Sequence, residues 1–344
     1  MDGSPIIWLI LLFLASAAVI WFAGVVLAKT TDSIDTRFRL GEALGGMILL
    51  GITGTLPEIA ILISAAIAGQ TEVIIGNLVG GIAIQTVVII FFDFAIKGKR
   101  PLSYHAGAKI LSLEGLSVIG ITALAILAMK VPASASVFHM NPLSIVMFLF
   151  WLTSLFLIDK ARKYKSLYTT LDDAQPGRMH HERRAVENHK FYASKSTAYV
   201  IVIFIIASIA TLIAGVFLER SGTSIAAHFG IGAGIFAATF MSLVSALPEI
   251  STGLESIFIG DNQLAISDIF GGNIMMPALF IVADLILGRS VISDASPVDQ
   301  LFAFLGIVLT AVYVISFLVR PKNRYLRLGI DSIIVVLLYI AGIY

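Results

Sequence analysis

Residues 40–85 read LGEALGGMILLGITGTLPEIAILISAAIAGQTEVIIGNLVGGIAIQ, and residues 231–276 read IGAGIFAATFMSLVSALPEISTGLESIFIGDNQLAISDIFGGNIMM. Set at a constant shift of 191, Gly41 meets Gly232 and Leu56-Pro57-Glu58 meets Leu247-Pro248-Glu249. Asn77 then meets Asp268, and Gly80-Gly81 meets Gly271-Gly272, with no gap between the landmarks. One structural unit is therefore present twice, and its internal period is the first thing any fold must satisfy.

The surroundings of both copies are apolar. Of 344 residues, 58% are hydrophobic and 13% charged, against about 25% charged in an ordinary soluble domain. Mean hydropathy is +0.96, and a bilayer crossing needs about 20 apolar residues. A soluble globular domain, a disordered chain and a nucleic-acid binder are all excluded. Cysteine is absent, which removes disulfides, thiol nucleophiles and thiolate metal sites. Ten hydrophobic runs are expected to span the membrane, at roughly 6–27, 40–68, 73–96, 108–129, 142–158, 197–218, 229–259, 263–287, 299–319 and 327–343. The first is not read as a signal peptide, because Asp2 is the only charge before it and the run is long.

Basic residues orient the spans. With the N-terminus outside, all of the 23 lysines and arginines except Lys130, Arg220 and Arg289 fall on the inner side. Both termini are thus expected outside and the 159–196 segment in the cytoplasm. That segment carries Lys160-Ala161-Arg162-Lys163, Asp172-Asp173 and His180-His181-Glu182-Arg183-Arg184. It reads as a solvated linker, with a metal or regulatory site as the alternative. Five spans precede it and five follow, so the two copies enter the membrane upside down relative to each other. The expected organisation is all-α and polytopic: a first five-helix repeat over 1–158, a linker over 159–196, and a second repeat over 197–344. Inverted repeats with interrupted helices at the midplane are a secondary-transporter arrangement.

Glu58 and Glu249 lie mid-span, where a carboxylate costs several kcal/mol unless it is paired, hydrated or protonated. All basic residues fall in loops or at span ends, leaving a bound cation or a proton to neutralise the pair. Pro57 and Pro248 each lack an N–H and crowd the carbonyl four residues back, on Thr53 and Val244. Freed carbonyls beside a carboxylate are spare oxygen ligands, tolerated in the membrane only within protein or a polar cavity. Oxygen-only sites of this kind suit hard cations such as sodium and calcium. In the following span of each copy, Asn77, Gly81 and Gln85 share a helix face, as do Asp268, Gly272 and Met276. For Asn77, glycine packing with a satisfied amide competes evenly with ion binding; Asp268 is expected on the ion pathway. Glu255 falls on another face from Glu249. Glu42, Asp93, Glu114, Asp284 and Asp331 sit nearer span ends, where proximity to water is the expected explanation.

At these residues the chain resembles the calcium/cation antiporter superfamily, in particular its sodium/calcium exchanger branch. Family repeats carry Gly-Thr-Ser-x-Pro-Glu and then Gly-Asn-x-x-Gly-Ser-Asn-Ile-x-(Asn/Asp). Here the first copy gives Gly54-Thr55-Leu56-Pro57-Glu58 and Gly76-Asn77-Leu78-Val79-Gly80-Gly81. The second gives Ser245-Ala246-Leu247-Pro248-Glu249 and Ser267-Asp268-Ile269-Phe270-Gly271-Gly272-Asn273-Ile274. The resemblance implies cation ligands at Glu58 and Glu249. It also marks departures: glycine for the motif serine at Gly81 and Gly272, Gln85 and Met276 at the last ligating position, and Ala246 where Thr55 keeps a hydroxyl.

The function expected is a secondary antiporter, not an enzyme, exchanging Ca2+ or a related cation for Na+ or H+ by alternating access. Glu58, Glu249, Thr55, Ser245, Gln85, Asp268 and Asn77, with the carbonyls of Thr53 and Val244, form the expected ion-binding set. No cofactor is expected beyond the transported ions, and no partner beyond small inorganic cations and the lipid bilayer; a monomer suffices. The plasma (inner) membrane is the expected location. A cation channel and an intramembrane enzyme are the alternatives. The enzyme reading suffers because His105, His139, His180, His181, His189 and His228 all fall in loops or at span edges.

Overall fold

The computed structural model describes residues 5–38, 50–98, 100–105, 108–168, 192, 195–258 and 260–343. Gly41 and Glu42, and most of the 159–196 linker with its histidine and acidic pairs, lie outside the described residues. Helix α1 spans Ile6–Phe38, followed by α2 (Leu50–Gly54) and α3 (Leu56–Ile67). Helix α4 (Thr71–Ala95) carries a π-helical turn at Gly76–Gly80. A short α5 (Leu102–His105), α6 (Ala108–Ala128) and α7 (Pro142–Tyr168) complete the first half. The second half runs α8 (Thr197–Phe229), α9 (Ala233–Ser245) with a π-helical turn at Ala237–Met241, and α10 (Leu247–Phe258). Then come α11 (Asn262–Leu287), α12 (Pro297–Val319) and α13 (Ile330–Ile343). A two-residue antiparallel pair, Arg324–Tyr325 with Leu328–Gly329, joins the last two.

This is an integral membrane protein, predominantly helical. Among the described residues seven helices are long and apolar enough to cross a membrane, and the α9–α10 pair, bent by 42°, makes an eighth. Helices α3 and α13 are apolar but shorter. Helix α1 outruns its hydrophobic stretch, because nothing between Lys29 and Phe38 breaks a helix. Helix α8 likewise continues past residue 218 to Phe229 and ends at Gly230 in the left-handed conformation, with φ 67°.

Helices α4 and α11 form the centre: 89% and 72% of their apolar windows are buried, against 22% for α1 and 28% for α8. Peripheral α1 and α8 run along each other in the largest helix pairing of the fold. Arg37, at the end of α1, ties it to the start of α8 by donating to the Tyr192 and Lys195 carbonyls and the Thr197 hydroxyl.

The 191-residue shift reaches beyond the motifs. Gly69 and Gly260 both turn the chain with positive φ, at 72° and 86°, before α4 and α11. A β-carbon on Gly24 of α1 would stand 2.6 Å from Pro248 Cβ, and one on Gly215 of α8 would stand 2.5 Å from Ala60 Cβ and 3.1 Å from the Pro57 carbonyl. The proline break of each half is thus seated against a glycine of the other.

Asp93 and Asp284 form another matched pair, and proximity to water does not explain them. They are 1% and 0% exposed. Asp93 accepts from the Leu102 and Gly329 amides and the Ser332 hydroxyl at 2.8, 2.5 and 2.8 Å. Asp284 accepts from the Val291 and Asn141 amides and the Ser144 hydroxyl at 2.7, 3.0 and 2.9 Å. Each carboxylate caps a helix N-terminus, α13 and α7 respectively, where the free N–H groups welcome negative charge. Glu114 is likewise buried, and pairs with Arg162 at 2.7 Å.

Candidate cation site

The prolines interrupt both motif helices as their chemistry demands. Thr55 stands between α2 and α3 at φ −89°, ψ 12°, and Ala246 between α9 and α10 at φ −78°, ψ 1°. The residue just before each break is a near neighbour in space of the other half's glutamate. The Glu249 carboxylate lies against Gly54, where a β-carbon would be 3.5 Å from Oε1. Glu58 lies beside the Ser245 hydroxyl, the residue that matches Gly54 at the 191 shift. Gln85 Nε2 donates to Glu58 Oε1 at 3.0 Å.

Gly272 closes the ring. Its absent β-carbon would lie 3.6 Å from Gln85 Oε1, 3.8 Å from Thr55 Cγ2 and 3.9 Å from Glu249 Oε1. Thr55, Glu58, Gln85, Ser245 and Glu249 are therefore gathered into one small volume, and all are at most 2% exposed. Within it Glu58 Oε2, Gln85 Oε1 and both Glu249 oxygens have no hydrogen-bond partner. Unpartnered buried carboxylate oxygens are costly unless a cation or proton joins them. Among the described residues, neither glutamate is paired with a basic side chain, as the placement of lysines and arginines anticipated.

Other members of the expected set lie further out. Asp268 is half-buried, accepts from Thr252 at 2.5 Å, and is close enough to Glu249 to interact electrostatically. Asn77 sits in the π-helical turn of α4, where Ser242 of α9 donates to its carbonyl at 3.3 Å and its side-chain oxygen at 3.5 Å. It bonds to neither glutamate, and it belongs to the contact between the two π-helical turns. Thr53 is buried with its hydroxyl 3.5 Å from that of Thr31, and Val244 is partly buried before Ser245. The Thr55 hydroxyl is turned back, donating to Gly51 and Ile52 carbonyls and to Met275 Sδ.

The motif departures prove to be matched across the halves. A β-carbon on Gly81 would stand 3.0 Å from Met276 Cε and 3.1 Å from its Sδ. Glycine at 81 makes room for the long side chain at 276, and glycine at 272 leaves room for the extra methylene of Gln85. Each lost serine faces the lengthened residue of the other copy.

Sequence reasoning missed Glu219, 1% exposed on α8, because the hydrophobic run ended just before it. It accepts from Ser64 at 2.6 Å and Thr223 at 3.2 Å. A cavity of about 280 Å³ lined by Lys97, His105, Phe258 and Asn262 involves none of the expected ligands.

Broken helices that set two carboxylates face to face inside a membrane define an ion transporter. The family model for sodium/calcium exchanger proteins matches residues 8–158 and 199–344, and the chain belongs to that family. It is 22% identical over 266 residues to the inner membrane protein YrbG of Escherichia coli (strain K12), covering 77% of this chain and 73% of that one. Its fold is shared with the H+/Ca2+ exchanger CAX, at TM-score 0.72 and 14% identity over 99% of this chain and 82% of that one. The sodium-calcium exchanger NCX_Mj shares it at TM-score 0.59 and 16% identity, over 98% and 99%. The two solved structures are of exchangers, not enzymes, and family membership makes this chain a cation antiporter of the calcium-transporting type.

Proposed function

We propose that this chain moves Ca2+, or a related divalent cation, across the plasma (inner) membrane in exchange for protons, with a shallow dependence on sodium. The observation that carries this reading is the convergence of Glu58 and Glu249 with their unpartnered oxygens and with Gln85. Two carboxylates neutralise one divalent cation, or take up two protons in its place. A multi-sodium site needs many oxygens, since each dehydrated ion must recover several, and glycine, alanine or methionine stands at 81, 246, 272 and 276. Thr55, Ser245, the Thr53 and Val244 carbonyls, Asn77 and Asp268 are the further groups along the ion's route.

The architecture that goes with it is ten spans in two inverted five-helix repeats over 1–158 and 197–344, with both termini outside and the 159–196 linker inside. Alternating access comes from movement of the peripheral α1–α8 pair against the central helices. Calcium uptake into proteoliposomes, with proton and sodium gradients imposed separately, tests the reading. Uptake driven by a pH gradient and weakly by sodium is expected. Steep, cooperative sodium dependence without a pH response would overturn the choice of proton, and flux indifferent to both gradients would make the protein a channel.

A further inference from the structure

Glu219 is a buried carboxylate that the cation site does not use. It lies on α8, one turn after Gly215, at the seam where that glycine is seated on Pro57 and Ala60 of α3. Ser64 of α3 donates to its Oε2 at 2.6 Å. The Thr223 hydroxyl bridges its Oε1, at 3.2 Å, to Gln70 Oε1, at 3.3 Å. Glu219 and Ser64 are buried while Gln70 and Thr223 are half-buried, so an unbroken line of hydrogen-bonding atoms runs from near the surface to Ser64. Ser64 stands six residues beyond Glu58 on the same helix, a rise of about 9 Å. At the 191 shift Ser64 meets Glu255 and Glu219 meets Ala28, so the corresponding helices α10 and α1 also carry one carboxylate at these places, on the other partner.

A carboxylate so placed is costly unless it is paired, hydrated or protonated. Among the described residues no basic side chain pairs with it. Arg220 and His228 on α8 and Glu72 at the start of α4 are exposed, and Glu58 lies deeper along α3. The charged residues of α1, from Lys29 to Arg37, lie at the other end of the α1–α8 pair, where Arg37 meets the start of α8. A packing contact needs no charge at all. Calcium takes about six to eight oxygens, which one carboxylate bonded directly to its neighbours does not supply. A proton fits the line as it stands. We infer that Glu219 is the outer proton-loading group of the exchange, taking a proton from outer water through Thr223 and giving it up toward Glu58 when α8 moves on α3. Glu219 and Thr223 ride on α8, whereas Ser64 and Gln70 belong to α3 and the turn after it. Movement of α8 therefore parts the Ser64 bond and opens the seam to water, which receives the proton as the carboxyl returns to carboxylate. This rests on the proton-exchange reading and on the topology that goes with it, and leaves Glu58 and Glu249 as the pair that holds the cation.

The test uses the full-length chain in proteoliposomes and separates two calcium fluxes. Uptake driven by a pH gradient needs proton transfer, whereas exchange of labelled for unlabelled calcium at equal pH needs only the cation site. Glu219→Gln keeps size and hydrogen bonding but removes the proton acceptor; it should lower pH-driven uptake about tenfold or more and leave calcium self-exchange unchanged. Glu219→Asp should restore part of the pH-driven flux. Thr223→Val removes the hydroxyl between the surface and the carboxylate and should give the same split, so the test survives a Glu219 variant that fails to fold. Undiminished pH-driven uptake in both Glu219→Gln and Thr223→Val, or an equal loss of both fluxes, would overturn this inference and leave the exchanger reading standing. Calcium uptake that ignores pH in the unaltered chain would overturn the proton reading itself.

Discussion

Gly80 and Gly271 occupy matched places in the two copies, yet the same substitution should have opposite results. A β-carbon on Gly80 would stand 2.2 Å from Ala238 Cβ, 2.5 Å from its Cα and 3.0 Å from its carbonyl oxygen. Carbon atoms rest about 3.5–4.0 Å apart, so α4 and α9 would have to separate by roughly 1.5 Å. No flexible side chain is available to swing away. Overpacking of this kind costs about 1–3 kcal/mol, and backbone-on-backbone contact belongs at the upper end. Around Gly271 nothing lies within 4 Å. Alanine there removes only the helix penalty of glycine, a gain of about 1 kcal/mol. Gly80 is helical as well and shares that gain, so Gly80→Ala should be less stable than Gly271→Ala by the overpacking cost alone, about 3 kcal/mol, reading as a thermal midpoint lower by about 4 °C. The folded fraction surviving a temperature series, followed by size-exclusion chromatography in detergent, measures it. Equal survival of the two variants would mean that the π-helical turns of α4 and α9 are not seated on each other.

Glu58→Gln and Glu249→Gln keep size and hydrogen bonding but remove the charge that balances a divalent cation; each should abolish exchange in proteoliposomes while expressing normally, and near-normal exchange would make that glutamate structural. Asp284→Ala and Asp93→Ala leave buried amide and hydroxyl donors unsatisfied, at about 1–3 kcal/mol for each group, so both should lose folded yield where Glu58→Gln does not. Cysteine-free background allows orientation to be read directly: in intact cells a cysteine at Ser136 should react with an impermeant maleimide and one at Lys322 should not, and the reverse pattern would invert the topology.

Much of this is legible in the sequence alone. Pro57 and Pro248 break their helices because a missing N–H acts locally, and the 191 shift locates both breaks. Length was harder: hydropathy ends α8 at 218, although packing of Gly222, Ile225 and Ala226 carries it to Phe229 and buries Glu219. Asp93 and Asp284 obey the same shift, but a linear pattern does not reveal that the Gly329 and Asn141 amides come back to meet them. The pairing of Gly81 with Met276 was equally hidden. Each residue looks like a loss within its own copy, and only contact between the copies turns the two losses into one fitted shape.

The crossed seating of Gly24 on Pro248 and Gly215 on Pro57 bears on biogenesis. A ribosome delivers the first half well before the second, and in that interval Pro57 has no Gly215 to rest on and Glu58 no Ser245 beside it. The ion site therefore comes into being only when the later helices arrive, and an isolated first half is an unfinished object rather than half a transporter. Two fragments made separately, by contrast, carry every surface needed to find each other in the bilayer.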